Sequence, residues 1–254
     1  MSVPPAIVFT DWDGTVTLQD SNDYLTENLG FGYPKRKAIN DEILDGSKSF
    51  RDGFQEMLDS IKQPFPECID YLLKHVQLDP GFRKCYDYCV SKKIPIIIIS
   101  SGMKPIIYNL LKHLVGEDAA ENIEIYSNEV EYFEKANDLG KTWDIVYKDD
   151  SDFGHNKSLS IKEYLVSKNL DKTNFEAHYK DSKYPTLFYC GDGVSDLSAA
   201  KETDLLFAKH GKDLIIYCNR ENIPYTEFNN FDDILSKLTK IMDGEGIEKF
   251  IENK

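Results

Sequence analysis

The fold of this chain is decided by the stretch Ala6-Ile7-Val8-Phe9-Thr10-Asp11-Trp12-Asp13-Gly14-Thr15, in which an apolar run ends in two aspartates. The apolar run predicts a buried strand, and open α/β sheets hold their chemistry at the carboxyl ends of such strands. Gly14 and Thr15 are turn formers that can bring Asp13 back toward Asp11. The pair would supply one carboxylate to attack and one to transfer protons, although the same residues also suit an ordinary turn.

The composition predicts a folded chain and argues against two kinds of partner. Of the 254 residues, 41% are hydrophobic, which is enough for a sizeable core. The formal net charge of −14 would repel nucleic acid and anionic membranes, so we expect neither as a partner. An anionic substrate must therefore be held by local positive groups.

The cysteines and the apolar runs predict a cytoplasmic protein. The chain has five cysteines, an odd number with no C-x-x-C pair, which favours reduced thiols in the core. No apolar run approaches the length of a membrane helix, and the first residues do not resemble a signal sequence.

A helical insertion interrupts an α/β pattern. The next strongly apolar strand, Pro95–Ile99, comes only after helix-like segments at 22–29, 33–44, 49–61 and 67–76, which glycine and proline breakers separate. From Asp79 onward helices and strands alternate, which predicts a mainly parallel sheet covered on both faces. We therefore predict an α/β fold: a Rossmann-like, doubly wound core at residues 1–17 and 77–254 with an inserted all-helical cap domain at 18–76. Later predicted strands include 123–128, 129–133, 186–190 and 205–208.

Polar residues mark two further places in this pattern. Ser100-Ser101-Gly102 follows the isoleucine strand, where a hydroxyl and free N–H groups suit phosphate oxygens but also an ordinary helix N-cap. Lys157 precedes a helix at 158–167 and offers positive charge, although a lone lysine is usually solvated.

The most specific signal follows the strand at 186–190. There the chain reads Gly191-Asp192-Gly193-Val194-Ser195-Asp196, in which glycines permit a tight turn. Asp192 and Asp196 offer oxygen ligands without histidine or cysteine, which suits a hard cation such as magnesium.

Taken in order, these segments resemble the four motifs of the haloacid dehalogenase-like superfamily. The resemblance covers the whole chain and is strongest to the phosphoserine-phosphatase-like branch, whose helical cap is inserted between the first and second motifs. It implies a magnesium-dependent phosphatase for small phosphorylated metabolites that works through an aspartyl-phosphate. The implied roles are Asp11 as nucleophile, Asp13 as acid and base, and phosphoryl contacts from Ser100, Ser101, Gly102 and Lys157. Magnesium would be held by Asp11, Asp192 and a backbone oxygen of Asp13. Asp196 would hold these ligands or bound waters in place without binding the ion directly.

The resemblance also bears on the substrate. It assigns leaving-group contacts to Asp20 and Arg51, for which a helix cap and a surface residue are the ordinary alternatives. Gly53 stands where phosphoserine phosphatases carry an arginine, and Gly14 where they usually carry serine. The pattern is closer to methionine-salvage diketo-phosphopentane phosphatases and to fungal polyol phosphate phosphatases, so we expect polyol or sugar phosphates. Phosphoserine and the methylthio-diketopentane phosphate remain alternatives, as do a phosphomutase and a noncatalytic metabolite-binding protein.

Overall fold

The computed structural model describes residues 3–179 and 182–252. The strands are β1 (Ala6–Thr10), β2 (Ile96–Met103), β3 (Glu124–Tyr132), β4 (Trp143–Val146), β5 (Thr186–Gly191), β6 (Leu205–Lys209) and β7 (Thr226–Phe228). They form a seven-stranded sheet in the order β4-β3-β2-β1-β5-β6-β7. β3 and β4 pair antiparallel, whereas β1 pairs parallel with β2 and β5, and the parallel pairing continues through β6 to β7.

β1 lies in the buried centre of this sheet. All of its residues are buried, and Thr10 is in register with Ile98 of β2 on one side and with Cys190 of β5 on the other. The strand order changes direction at β1, and open α/β sheets bind ligands at the carboxyl ends of strands at such a switch point. Asp11 therefore leaves the sheet where the fold favours a binding site.

The helices complete the α/β architecture. They are α1 (Ser21–Leu29), α2 (Tyr33–Asp45), α3 (Phe50–Asp59), α4 (Phe65–His75), α5 (Phe82–Ser91), α6 (Lys104–Leu114), α7 (Glu117–Asn122), α8 (Lys157–Ser167), α9 (Lys172–His178), α10 (Leu197–Ala200), α11 (Asp213–Glu221) and α12 (Phe231–Met242). Within the described ranges, no helix has both the length and the apolar character needed to cross a membrane. All five cysteines are buried and free, as their pattern predicts.

The chain forms two compact units. The first contains the described residues up to Val16, the segment Leu78–Ile99 and the described residues from Lys157 onward. The second contains Thr17–Gln77 and Ser100–Asn156. The boundaries given above for a core and a helical cap stay a prediction.

Aromatic packing in the first unit fixes the start of α8. The ring of Tyr164 in α8 meets that of Phe9 in β1 edge-on, with 5.5 Å between centroids. Both residues are buried, so this contact fixes α8 on the central strand. The contact therefore holds α8, which begins at Lys157, against β1, the strand that Asp11 directly follows.

The second unit has its own buried contacts between helices and the β3–β4 hairpin. The rings of Phe65 and Trp143 are 4.9 Å apart, and the indole Nε1 donates to the carbonyl of Gln63 at 2.9 Å. The ammonium of Lys141, a fully buried side chain, lies 2.9 Å from a carboxylate oxygen of Asp59 and 3.1 Å from one of Asp144. These contacts join α3 and α4 to the hairpin within one unit.

The predicted fold class is confirmed, but one detail of the predicted strands is wrong. The sequence predicts separate strands at 123–128 and 129–133, whereas β3 runs without a break over Glu124–Tyr132. Asn128 is a turn former, but its buried side chain bonds the carbonyl of Ser101 and the N–H of Lys148, so it does not start a turn and the chain stays extended. The turn comes later, where Gly140 has a φ of 75° and donates its N–H to the carbonyl of Asn137 at 2.8 Å.

Candidate active site

The chain turns directly after β1, as the aspartate motif predicts. Asp11 extends the pairing with β5, because its N–H donates to the carbonyl of Cys190 at 2.8 Å. The carbonyl of Trp12 then accepts from the N–H of Val16 at 2.9 Å, and Gly14 adopts a φ of 71°. Asp11 and Asp13 are both buried, with 7% of each residue exposed.

Lys157 lies at the centre of a buried charged cluster. Its ammonium lies 2.8 Å from Oδ1 of Asp11 and 2.6 Å from Oδ1 of Asp196. The lysine is fully buried, so the solvated alternative does not hold. A buried ion pair is retained only where hydrogen bonds satisfy its members, which is the case here.

Asp196 is held from two sides in the turn after β5. One oxygen accepts from the hydroxyl of Tyr189 at 2.6 Å, and the other accepts from the N–H groups of Asp192 and Gly193 at 2.9 Å. A Cβ at position 191 would come within 2.4 Å of the Asp196 carboxylate, so glycine is required there. Four hydrogen bonds to its two oxygens therefore fix Asp196 in one orientation.

The turn after β1 approaches the turn after β5 at Gly14. A Cβ on Gly14 would lie 2.3 Å from Oδ2 of Asp192, so a larger residue would displace that carboxylate. The positive φ of Gly14 also disfavours other residues. The close approach of Asp192 and the positive φ therefore explain why position 14 is a glycine in this chain. The sequence motif alone did not give this explanation.

The charges of this cluster favour a divalent cation. Oxygens of Asp11, Asp192 and Asp196 lie within 4.8 Å of one another. Burial, partly offset by Lys157 and reinforced by Asp196, raises the pKa of Asp11 to about 7. Asp11 and Asp196 raise the pKa of Lys157 despite its burial, so the lysine stays charged. Oxygen ligands with excess negative charge fit a hard cation such as magnesium.

Three residues near the cluster were not found from the sequence. Besides Tyr189, these are Lys209, whose ammonium lies 3.3 Å from the carbonyl of Thr15, and Lys212, whose ammonium lies 3.6 Å from Oδ2 of Asp192. Lys209 is the last residue of β6, so the rule that chemistry lies at strand ends could have identified it. Tyr189 is part of an apolar strand pattern, which gives no signal for its hydroxyl.

Ser100 and Ser101 lie in the second unit, within the last residues of β2. The hydroxyl of Ser100 accepts from the N–H of Gly102 at 3.0 Å, and both serines are buried. Neither caps the following helix, because Met103 occupies the N-cap position of α6 without a side-chain hydrogen bond. The N-cap alternative for this segment is therefore not observed. The hydroxyl oxygen of Ser101 is buried and has no hydrogen-bond partner among the described residues.

The remaining predicted residues, Asp20 and Arg51, also lie in the second unit. Asp20 is the N-cap of α1, where one oxygen accepts from the N–H groups of Asn22 and Asp23 at 2.8 and 2.9 Å. The guanidinium of Arg51 lies 4.7 Å from the ring centroid of Tyr147. The structure thus gives each residue a local contact, and their roles toward a substrate stay predictions.

The chain is similar in sequence to several known proteins. A sequence model of the family described as haloacid dehalogenase-like hydrolase matches residues 8–201. The polyol phosphate phosphatase PYP1 of Saccharomyces cerevisiae is 52% identical over 250 residues, which cover 98% of this chain and 99% of that protein. The 2-hydroxy-3-keto-5-methylthiopentenyl-1-phosphate phosphatase of Bacillus cereus (strain B4264) is 26% identical over 237 residues, covering 93% of this chain and 97% of that protein.

One solved structure extends the likeness to the fold. A phospho-aspartyl intermediate analogue of phosphoserine phosphatase superposes with a TM-score of 0.66 at 14% identity, covering 92% of this chain and 99% of that one. At this identity the likeness concerns the fold alone.

Proposed function

Since this chain belongs to the haloacid dehalogenase-like hydrolase family and is a phosphatase, we propose that it hydrolyses small phosphomonoesters, polyol phosphates in particular, through an aspartyl-phosphate in a magnesium-dependent reaction. The observation that carries the proposal is the buried contact of Lys157 with Asp11, directly after the central strand. A buried carboxylate paired with a lysine and beside further carboxylates is suited to nucleophilic attack on phosphorus.

In the proposed reaction, an oxygen of Asp11 attacks phosphorus, and the bond between phosphorus and the ester oxygen breaks. Asp13 gives its proton to the leaving alkoxide and then takes one from the water that hydrolyses the aspartyl-phosphate. Inorganic phosphate is released and Asp11 is regenerated. Lys157, together with Ser100 and the N–H groups after it, would stabilise the charge that develops on the phosphoryl oxygens.

We assign magnesium to Asp11, Asp192 and the backbone carbonyl of Asp13. Bound magnesium supplies positive charge that favours the ionised form of Asp11 and polarises the phosphoryl group. Asp196 acts indirectly, since its oxygens already accept from Lys157, Tyr189 and two backbone N–H groups. Its part is to hold the lysine and the turn in place.

The proposal names polyol phosphates for two reasons. The relative that is 52% identical over nearly the whole chain is named a polyol phosphate phosphatase. Asp20, Ser49 and Arg51 are polar side chains of the second unit that could hydrogen-bond the hydroxyl groups of such a leaving group. We place the protein in the cytoplasm, in agreement with its five free, buried thiols.

The test is a screen of phosphorylated metabolites with the purified protein, scored by released phosphate with and without magnesium. We expect polyol phosphates to give the highest kcat/KM, and excess chelator to abolish turnover. Substrate consumption without phosphate release would indicate a phosphomutase instead. Full turnover in chelator would contradict the metal assignment.

A matched pair of lysine variants tests the site itself. Lys157→Met should lower kcat by about a hundredfold or more, because one buried charge that stabilises the transition state is lost. Lys162→Met is the control, since Lys162 lies on the same helix, is exposed and pairs with Glu202. Equal activity of the two variants would contradict the role of Lys157.

A further inference from the structure

Residues 147–155, which we call the linking segment, contact two predicted functional groups of the second unit. One end of the segment meets Arg51, and the other end meets the Ser100–Ser101 backbone. The segment carries no family motif residue named above.

At its carboxyl end, the linking segment holds the backbone of the two serines. Nδ1 of His155, a fully buried residue, lies 2.7 Å from the carbonyl of Ser100. A carbonyl only accepts, so Nδ1 carries the proton. The buried amide of Asn128 donates to the carbonyl of Ser101 at 2.7 Å, and its oxygen accepts from the N–H of Lys148 at 2.9 Å. Two buried side chains therefore fix both carbonyls relative to the segment.

At its amino end, the linking segment holds Arg51. The ring of Tyr147 lies 4.7 Å from the guanidinium carbon, and its hydroxyl donates to the carbonyl of Arg51 at 3.2 Å. The N–H of Arg51 donates to the carbonyl of Asp152 at 2.8 Å, and Asp150 lies 3.4 Å from the guanidinium. An arginine stacked on a ring and bonded through its backbone has few orientations left.

The segment between these ends is internally braced. The carboxylate of Asp149 accepts from the N–H groups of Ser151 and Asn156 at 3.0 and 2.6 Å, and its own N–H donates to the carbonyl of Gly154 at 3.1 Å. Gly154 has a φ of 66°, and a Cβ there would come within 2.2 Å of the Tyr147 ring. A displacement at one end would therefore be transmitted to the other.

We propose that the linking segment positions two groups of the active site: His155 and Asn128 hold the Ser100–Ser101 backbone for phosphate, and Tyr147 holds the guanidinium of Arg51 for the leaving group. The proposal rests on the phosphatase function proposed above and adds positioning residues outside its motifs. The two ends should then affect different parameters. The serine end acts on every phosphomonoester, whereas the arginine end acts only on leaving groups that carry hydroxyls.

The experiment compares glycerol phosphate with p-nitrophenyl phosphate, whose leaving group has no aliphatic hydroxyls. Tyr147→Leu should lower kcat/KM for glycerol phosphate by roughly tenfold and leave p-nitrophenyl phosphate nearly unchanged, since a lost cation–π contact of this kind is worth about one decade. Tyr147→Phe keeps the ring and should keep the wild-type ratio. Tyr33→Leu is the matched control, because Tyr33 also lies under an arginine, Arg36, with 5.4 Å between the guanidinium carbon and the ring centroid.

His155→Phe should act differently. It should lower kcat/KM for both substrates alike, and weaken inhibition by inorganic phosphate, by roughly tenfold, because one buried carbonyl loses its donor. His155→Asn, which can still donate, should restore most of the loss. His75→Phe is the control, since Nδ1 of this exposed histidine also lies 2.7 Å from a carbonyl, that of Tyr71.

Each outcome separates this proposal from the function on which it rests. Wild-type protein that releases no phosphate from either substrate would overturn both. An active wild type with the same substrate ratio in Tyr147→Leu, or with unchanged phosphate inhibition in His155→Phe, would overturn the positioning role alone. Melting temperatures of all variants, measured alongside, confirm that folded proteins are compared, and the conservative variants carry the test if a larger change prevents folding.

Discussion

Asp11 shows how one residue meets two opposing demands. The attack on phosphorus that we propose for Asp11 requires its ionised form, but burial favours the protonated form and raises the pKa of Asp11 to about 7. The ammonium of Lys157, 2.8 Å away, lowers the pKa of Asp11 and so offsets part of the effect of burial. The nearby carboxylate of Asp196 raises this pKa further. A cation bound beside Asp11 would shift the balance toward the carboxylate.

The two aspartates of the first motif should fail in different ways. Asp11→Asn should abolish turnover and leave no phosphoenzyme, because the nucleophile is gone. Asp13→Asn should lower kcat by about a hundredfold or more for polyol phosphates and less for p-nitrophenyl phosphate, whose leaving group needs no proton. Mass spectrometry of rapidly quenched enzyme gives the phosphoenzyme. Asp87→Asn, an exposed position in α5, is the control, and near-native turnover of Asp11→Asn would show that the nucleophile is misassigned.

Magnesium affinity should depend on pH through Asp11. The raised pKa means that the metal-free protein holds a proton on Asp11 below about pH 7, and this proton must leave when the metal binds. The apparent Kd for magnesium should therefore rise by about tenfold per pH unit below 7 and level off above it. Calorimetric titrations between about pH 5.5 and 8.5 measure this slope. A slope that persists unchanged in Asp11→Asn would contradict the assignment.

At the level of single residues, the sequence predicts which side chains follow strands but not which are buried together. Asp11 and Asp196 follow apolar strands, so their convergence could be expected. The burial of Lys157 could not, because it depends on Tyr164 packing on a strand far away in sequence. Lys141 is the same case: its carboxylate partner Asp59 lies 82 residues away.

At the level of elements, long apolar patterns were predicted well and short segments poorly. β1, β5 and the first half of β2, up to Ile99, are largely apolar runs followed by turn formers, which is a strong signal. β4 has four residues and β7 three, too short to show an alternation. β4 is defined by its pairing with β3 and by the contact of Trp143 with Phe65, neither of which is encoded locally.

Variants of Asp20 can separate its role as the N-cap of α1 from a role in substrate binding. Its carboxylate caps α1, so Asp20→Ala should lower the free energy of unfolding by about 1 kcal/mol. Asp20→Asn keeps an oxygen that caps equally well and should be close to wild type in stability. If Asp20 also contacts the leaving group through its charge, Asn should nevertheless lower kcat/KM for polyol phosphates. Urea unfolding and kinetics of both variants decide this, and wild-type kinetics in Asp20→Asn would leave only the cap.

At the level of the whole molecule, the net charge of −14 opposes the approach of any phosphate dianion. The Debye length falls from about 30 Å at 0.01 M salt to about 8 Å at 0.15 M, so added salt screens this repulsion. Substrates of equal net charge feel the same long-range repulsion. Differences between such substrates must then arise from local contacts.

Glycerol phosphate and phosphoserine make this comparison possible, because both carry a net charge of about −2 at neutral pH. Phosphoserine needs a partner for its carboxylate, and Gly53 supplies none: a Cβ there would lie 2.6 Å from Cδ1 of Ile43, so the position is packed against α2. The charge of Arg51 is already partly neutralised by Asp150, which lies 3.4 Å from its guanidinium.

We therefore expect kcat/KM for phosphoserine to be roughly a hundredfold below that for glycerol phosphate, since a desolvated charge without its partner costs about 3 kcal/mol. Both values should rise a few-fold between about 0.01 and 0.15 M salt, while their ratio stays constant, because only the shared long-range repulsion is screened. Kinetics with both substrates at saturating magnesium and two salt concentrations measure this. Equal turnover of phosphoserine would mean that its carboxylate has a partner in this chain, and a ratio that collapses with salt would place the discrimination in the overall field instead of at Gly53 and Arg51.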